Sequence, residues 1–120
     1  MLIVYYSLTG NVRRFVERTG LRSHTADKPP GEPFVIVTPT VGFGAVPASV
    51  ERYLAKYGGL LRGVAASGNR NWGANYGAAA DMIAQEYRVP IIHKFELAGT
   101  AEDIRKFNEG VDALSHATLS

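Results

Sequence analysis

Four short stretches of the chain are almost continuously apolar: LIVYY (2–6), FVIVT (34–38), GVAAS (63–67) and PIIHKF (90–95). Strands buried on both faces of a parallel sheet have this pattern, because neither face alternates with water. Between the runs the apolar period changes. Val12, Phe15 and Val16 form one stripe, Val50, Tyr53, Leu54 and Tyr57 a second, Ala80, Ile83, Ala84 and Tyr87 a third, and Ile104, Phe107, Val111 and Leu114 a fourth. Such spacings put side chains on one face of a helix. The punctuation agrees: Gly20 ends the first stripe, Gly58 and Gly59 the second, and Pro90 follows the third. Thr100 with Asp103 offers a capping box for the start of the fourth.

The stretch from Leu21 to Pro33 is polar and contains KPPGEP. It allows at most a short edge strand, Arg22 to Thr25, and then a loop. The expected order is therefore β-α-β-β-α-β-α-β-α, with no repeat, linker or low-complexity tract. It predicts an α/β fold of three layers: a doubly wound sheet of five parallel strands, in order 2-1-3-4-5, with helices on both faces. Ligands of such sheets bind beyond the carboxyl ends of the strands, at the switch point beside strand 1.

With 120 residues, 46% of them hydrophobic, the expectation is one domain spanning 1–120. The absence of Cys and of a signal-like N-terminus suits a cytoplasmic protein. No apolar run approaches the roughly 18 residues of a membrane helix, so a soluble protein without a membrane partner is expected. Thirteen Lys and Arg against eleven Asp and Glu leave a net charge of +2. The cations are scattered, which argues against nucleic acid as a partner. The densest group, Arg13, Arg14 and Arg18 around Glu17, fits a solvated helix face; a docking patch for an acidic protein is the sharper alternative.

Three loops should converge at the carboxyl end of the sheet: SLTGN (7–11), TPTVGFGAVP (38–47) and SGNRNWGAN (67–75). Their only ionisable side chain is Arg70. General acid–base catalysis and metal binding need groups these loops lack, so any chemistry belongs to a bound molecule. His24, His93 and His116 lie elsewhere and fit packed or surface positions. Ser7 has no base in its loop and no G-x-S-x-G elbow around it. The first loop offers hydroxyls, an amide and backbone N–H groups entering a helix near Asn11 or Val12. That is an anion site or, equally, an ordinary helix cap by Thr9 or Asn11. Gly42 and Gly44 let the second loop reorient around Phe43. In the third, Trp72 stands among amide side chains, more than a loop needs to turn a corner. Taken together, an anion cradle, a flexible loop and an aromatic suit a phosphate joined to a planar heterocycle, and flavin mononucleotide (FMN) is such a molecule in this strand order.

The phosphate loop is similar to the flavodoxin signature, although Val12 stands where flavodoxins commonly carry a hydroxyl residue. SLTGNVRRFV, VTPTVGFGAVP, GVAASGNRNWGANY and VPIIHKFELAGT, in that order, resemble the NrdI family of flavodoxin-like activators of class Ib ribonucleotide reductase. The resemblance implies an FMN protein that serves the dimanganese small subunit of that reductase. Reduced by an electron donor, its flavin would react with molecular oxygen to give superoxide for assembly of the manganese-tyrosyl radical. It makes the chain an accessory activator, not a metabolic enzyme; the alternative is a one-electron carrier of the flavodoxin type.

Carried over by motif, Ser7, Thr9, Gly10 and Asn11 would hold the phosphate, with Leu8 and Val12 contributing backbone. Pro39, Thr40, Gly42, Phe43 and Gly44 would flank the flavin edge, and Ser67, Gly68, Asn69, Trp72 and Gly73 would cover its other side. Flavodoxins usually surround their flavin with carboxylates. A site with no carboxylate and one Arg should tolerate a fully reduced, anionic flavin better.

Overall fold

The computed structural model describes residues 1–119. Strand β1 (Leu2–Tyr5) leads through α1 (Asn11–Thr19) to the short edge strand β2 (Ser23–Thr25). A helix-free loop then returns the chain to β3 (Phe34–Pro39). Helix α2 (Ala48–Tyr57), β4 (Leu61–Gly68), α3 (Ala78–Tyr87), β5 (Ile91–Glu96) and α4 (Ala101–Leu119) follow. All five strands are parallel, in the order β2-β1-β3-β4-β5. This is the order expected from the alternation of elements.

The apolar runs are continuous because successive residues serve different layers. Leu2 and Val4 of β1, with Phe34 and Ile36 of β3, face Val50 and Leu54 of α2 and Ala80 and Ile83 of α3. Ile3, Val35 and Val37 face the other way, onto Val12, Phe15 and Val16 of α1 and Phe107 and Val111 of α4. One sheet thus carries two cores, and the helix stripes read from the sequence are their outer walls. β5 departs from its expected double burial: only Phe95 is fully buried and Ile91 is exposed, because the strand forms the sheet's edge.

The expected capping box closes reciprocally at the start of α4. The Thr100 N–H donates to Asp103 Oδ2 at 2.8 Å, and the Asp103 N–H donates to Thr100 Oγ1 at 3.1 Å. The segment between β4 and α3, expected as a loop, contains a 3₁₀ turn over Arg70–Asn75. Among the described residues no helix is long and apolar enough to cross a membrane, and no cluster of His, Asp and Glu could hold a metal ion.

Candidate cofactor site

The three loops singled out in the sequence leave the carboxyl ends of adjacent strands β1, β3 and β4, and backbone bonds begin to join them. The Tyr6 N–H donates to Val37 O at 3.1 Å and the Thr40 N–H to Ser67 O at 3.1 Å. Between them lies a cavity of about 200 Å³. Leu8, Thr9, Asn11 and Val12 line it from the first loop, Pro39 and Thr40 from the second, and Ser67, Gly68, Asn69 and Trp72 from the third. Val41 and Leu97 line it as well. A larger cavity of about 680 Å³ opens on the β2 side of the first loop; Ser7, Gly10, Arg13 and Asp27 are among its walls.

The first loop is shaped by Ser7 and Gly10. Gly10 precedes α1 with φ 89, a left-handed conformation that a side chain would strain. Neither Thr9 nor Asn11 caps the helix. The Ser7 hydroxyl oxygen instead accepts the N–H of Gly10 at 3.1 Å and of Arg13 at 3.3 Å. The Asn11 and Val12 N–H groups have no acceptor among the described residues. They lie at the positive end of the helix dipole, with hydroxyls of Ser7 and Thr9 nearby in the chain, which is the donor set of an anion cradle.

In the second loop Val41 and Ala45 exchange backbone hydrogen bonds at 2.9 and 2.8 Å. The enclosed residues form a projecting tip. Gly42 and Gly44 take φ of 55 and 118, and Phe43 between them is 92% exposed, outside the cavity lining. The neighbouring Thr40 does the opposite: its Oγ1 is buried and has no hydrogen-bond partner among the described residues. A buried hydroxyl without a partner is unfavourable, and an acceptor or donor on a ligand would satisfy it.

The third loop begins at Gly68, where an added Cβ would lie 2.5 Å from the Gly77 nitrogen, so only glycine permits the backbones to approach this closely. Asn69 Oδ1 accepts the Asn71 N–H at 2.9 Å, and Asn69 O accepts the Trp72 N–H at 3.0 Å. These bonds set the 3₁₀ turn and bring Trp72, still 37% exposed, to the cavity wall. Gly73, at φ 55, turns the chain beyond that wall.

Two features were not read from the sequence. Leu97, in the turn after β5, adds a fourth wall; it is 72% exposed and adopts φ 52. Its only sequence signal was position, since β5 ends on the same edge as β1, β3 and β4. Among the described residues no carboxylate lines the slot, but two lie outside it in the surrounding structure. Glu96 at the end of β5 accepts the Arg70 N–H at 3.0 Å and lies 3.6 Å from the Arg70 side chain. Asp27 borders the larger cavity, and a hydrogen bond from the Thr25 hydroxyl holds its carboxyl below the usual carboxylate range. Both residues lie outside the three loops, and tertiary folding brings them near.

The family profile described as "NrdI Flavodoxin like" matches residues 3–109. The chain belongs to the NrdI flavodoxin-like family. Protein NrdI of Macrococcus caseolyticus (strain JCSC5402) is 50% identical over 118 residues, covering 96% of this chain and 92% of that protein. Among solved structures, a short-chain flavodoxin associated with a PDU bacterial microcompartment superposes with a TM-score of 0.77 at 18% identity, covering 97% of this chain and 96% of that one. A Fusobacterium nucleatum flavodoxin bound to FMN superposes at 0.59 with 13% identity, covering 97% and 96%. At these identities the structural likeness shows the fold. Membership of the NrdI family implies a flavin-binding redox protein. The residues present fit such a cofactor: free N–H groups at the start of α1 suit its phosphate, and Thr40, whose hydroxyl is buried without a partner among the described residues, and Trp72 line a slot between two loops.

Proposed function

We propose that this single-domain protein binds FMN and activates the dimanganese small subunit of class Ib ribonucleotide reductase. The observation that carries the binding is the cavity itself, lined by Asn11 and Val12, whose N–H groups have no acceptor among the described residues, and by Thr40, whose buried hydroxyl has no partner among them. When bound and reduced by an electron donor, the flavin supplies the electron that converts dioxygen to superoxide, the oxidant consumed in assembling the manganese-tyrosyl radical.

The chain's own residues bind and orient. In this reading Ser7, Thr9, Gly10 and Asn11, with the Leu8 and Val12 backbone, hold the phosphate at the start of α1. Pro39 and Thr40 form one side of the slot, and Gly42, Phe43 and Gly44 project beyond it to flank the flavin edge. Gly42 and Gly44, at positive φ, let the Phe43 peptides reorient without the penalty a Cβ would bring. Ser67, Gly68, Asn69 and Trp72 form the other side, with Gly73 turning the chain beyond it, and the indole excludes water from one flank. None of these side chains titrates near neutral pH, so they neither donate nor remove a proton at the site.

A second reading, a one-electron carrier of the flavodoxin type, is favoured by Asp27 and Glu96. Their charges bring the surroundings closer to the acidic pattern of that group. The test is to load the protein with FMN, reduce it without air, readmit oxygen in the presence of a superoxide trap, and then assay radical yield in a manganese-loaded class Ib small subunit. Rapid superoxide release with radical formation supports the activator. Slow reaction with oxygen and no radical supports the carrier, and failure to bind FMN removes both.

A further inference from the structure

The cluster of Arg13, Arg14 and Arg18 divides three ways in the structure. Arg13 Nε lies 3.4 Å from the Glu17 carboxylate, one helical turn on. Arg18 Nη1 donates to the carbonyls of Ala98 at 3.2 Å and Gly99 at 2.9 Å, tying α1 to the turn after β5. Arg14 folds back over the start of its own helix, closer to Gly10 than Arg13, whose Nη2 would lie 4.0 Å from a Cβ at that glycine. The Arg14 Nη2 donates to Asn11 Oδ1, and its Nη1 lies so near Gly10 that a Cβ there would be 2.9 Å away. No carboxylate pairs with Arg14 among the described residues. Its direction follows from helix geometry: side chains lean toward the N-terminus, so the fourth residue of α1 can reach the first turn. The missing Cβ of Gly10 leaves room for it.

We infer that Arg14 is a phosphate-recognition residue that makes the site select a phosphorylated flavin over an unphosphorylated one. The inference rests on the FMN reading above. A phosphate monoester carries close to two negative charges at neutral pH. The dipole of a helix offers only about half a positive charge at its N-terminus, and α1 is a short helix. The three loops of the site supply no other cation but Arg70, which is engaged with Glu96. A guanidinium over Gly10 provides the missing charge and a planar fork of donors suited to phosphate oxygens. Asn11 Oδ1 holds it there in advance, so less side-chain freedom is lost on binding.

The test measures dissociation constants for FMN and for riboflavin with the wild type, Arg14→Ala, Arg14→Lys and, as a control for net charge, Lys56→Gln. Arg14→Ala should weaken FMN by about tenfold, the size of one hydrogen bond to a charged group, and leave riboflavin within about twofold. Arg14→Lys should fall between, keeping the charge but losing the fork, and Lys56→Gln should bind both as the wild type does. In a second readout without flavin, inorganic phosphate should raise the melting temperature of the wild type above that in chloride at equal ionic strength. Arg14→Ala should lose that increment. Equal weakening of FMN and riboflavin, or unchanged FMN affinity in Arg14→Ala, would overturn the role of Arg14 and leave FMN binding standing. A wild-type protein that binds neither flavin would overturn the FMN reading and this inference with it.

Discussion

Glu96, the last residue of β5, accepts the backbone N–H of Arg70 at 3.0 Å and lies 3.6 Å from its guanidinium. Two residues earlier on the same strand, Lys94 Nζ donates to Tyr76 O at 3.1 Å and to Asp81 Oδ2 at 2.6 Å. The edge strand therefore grips both ends of the 3₁₀ turn that carries Trp72. A strand that buries little contributes position instead. Its charged side chains fix a turn that has few buried contacts of its own.

Removing the Glu96 contact should loosen the turn locally. In Glu96→Ala the amides of Asn71 to Asn75 should exchange with deuterium faster than in the wild type, while amides of β3 and β4 keep their protection. The melting temperature should hardly move, because exposed ion pairs contribute little to global stability. Unchanged exchange across the turn would show that the 3₁₀ bonds from Asn69 hold it unaided.

Thr40 should show opposite effects in the free and loaded protein. Its Oγ1 is buried without a partner among the described residues, so Thr40→Val removes an unsatisfied polar atom at nearly constant shape. The free protein should be unchanged or more stable by up to about 1 kcal/mol in urea denaturation, while FMN affinity should fall severalfold. A loss of stability in the free protein would mean that the hydroxyl is satisfied by water.

Phe15 joins the first helix to the sheet and to the last helix. Its ring stacks on Phe95 with centroids 3.8 Å apart and planes 6° from parallel, and it meets Phe107 edge-on at 5.3 Å. All three side chains are fully buried. Phe15→Ala should cost about 3–5 kcal/mol, a large part of the stability of an ordinary small domain, and calorimetry should show the melting temperature falling steeply. Phe15→Leu should recover much of the loss.

The strand order and the helix faces were legible in the sequence because both follow from local periodicity and from which elements must cover the sheet. The site loops were legible for the same reason: a parallel sheet delivers them to one edge. What was hidden depends on distances between elements. Glu96 and Asp27 come near the cavities only through the pairing of β5 with β4 and of β2 with β1. Leu97 lines the slot through a left-handed turn that no apolar pattern announces. Arg14 and Arg18 share one helix and one charge, yet one reaches the first turn and the other the carbonyls after β5. Phe43 projects at the tip of its loop because Val41 and Ala45 pair beneath it, a bridge that no local pattern announces.

Asp103 gives the fold a specific acid sensitivity. Burial pushes its carboxyl up, but hydrogen bonds with His93 and with the N–H and hydroxyl of Thr100 outweigh that, and the group ends below its ordinary value of 3.8. A carboxyl with a depressed folded pKa stabilises the fold fully above its unfolded pKa, and the contribution disappears as the pH falls through the folded value. The stability difference between the wild type and Asp103→Asn should therefore shrink as the pH falls below about pH 4. Urea midpoints measured from pH 3 to pH 5 test this. Other carboxylates titrate in the same range but are common to both proteins, so they cancel in the difference. A difference that persists unchanged to pH 3 would mean that Asn fails to reproduce the geometry of the cap and that the charge of Asp103 contributes nothing to holding α4 against β5.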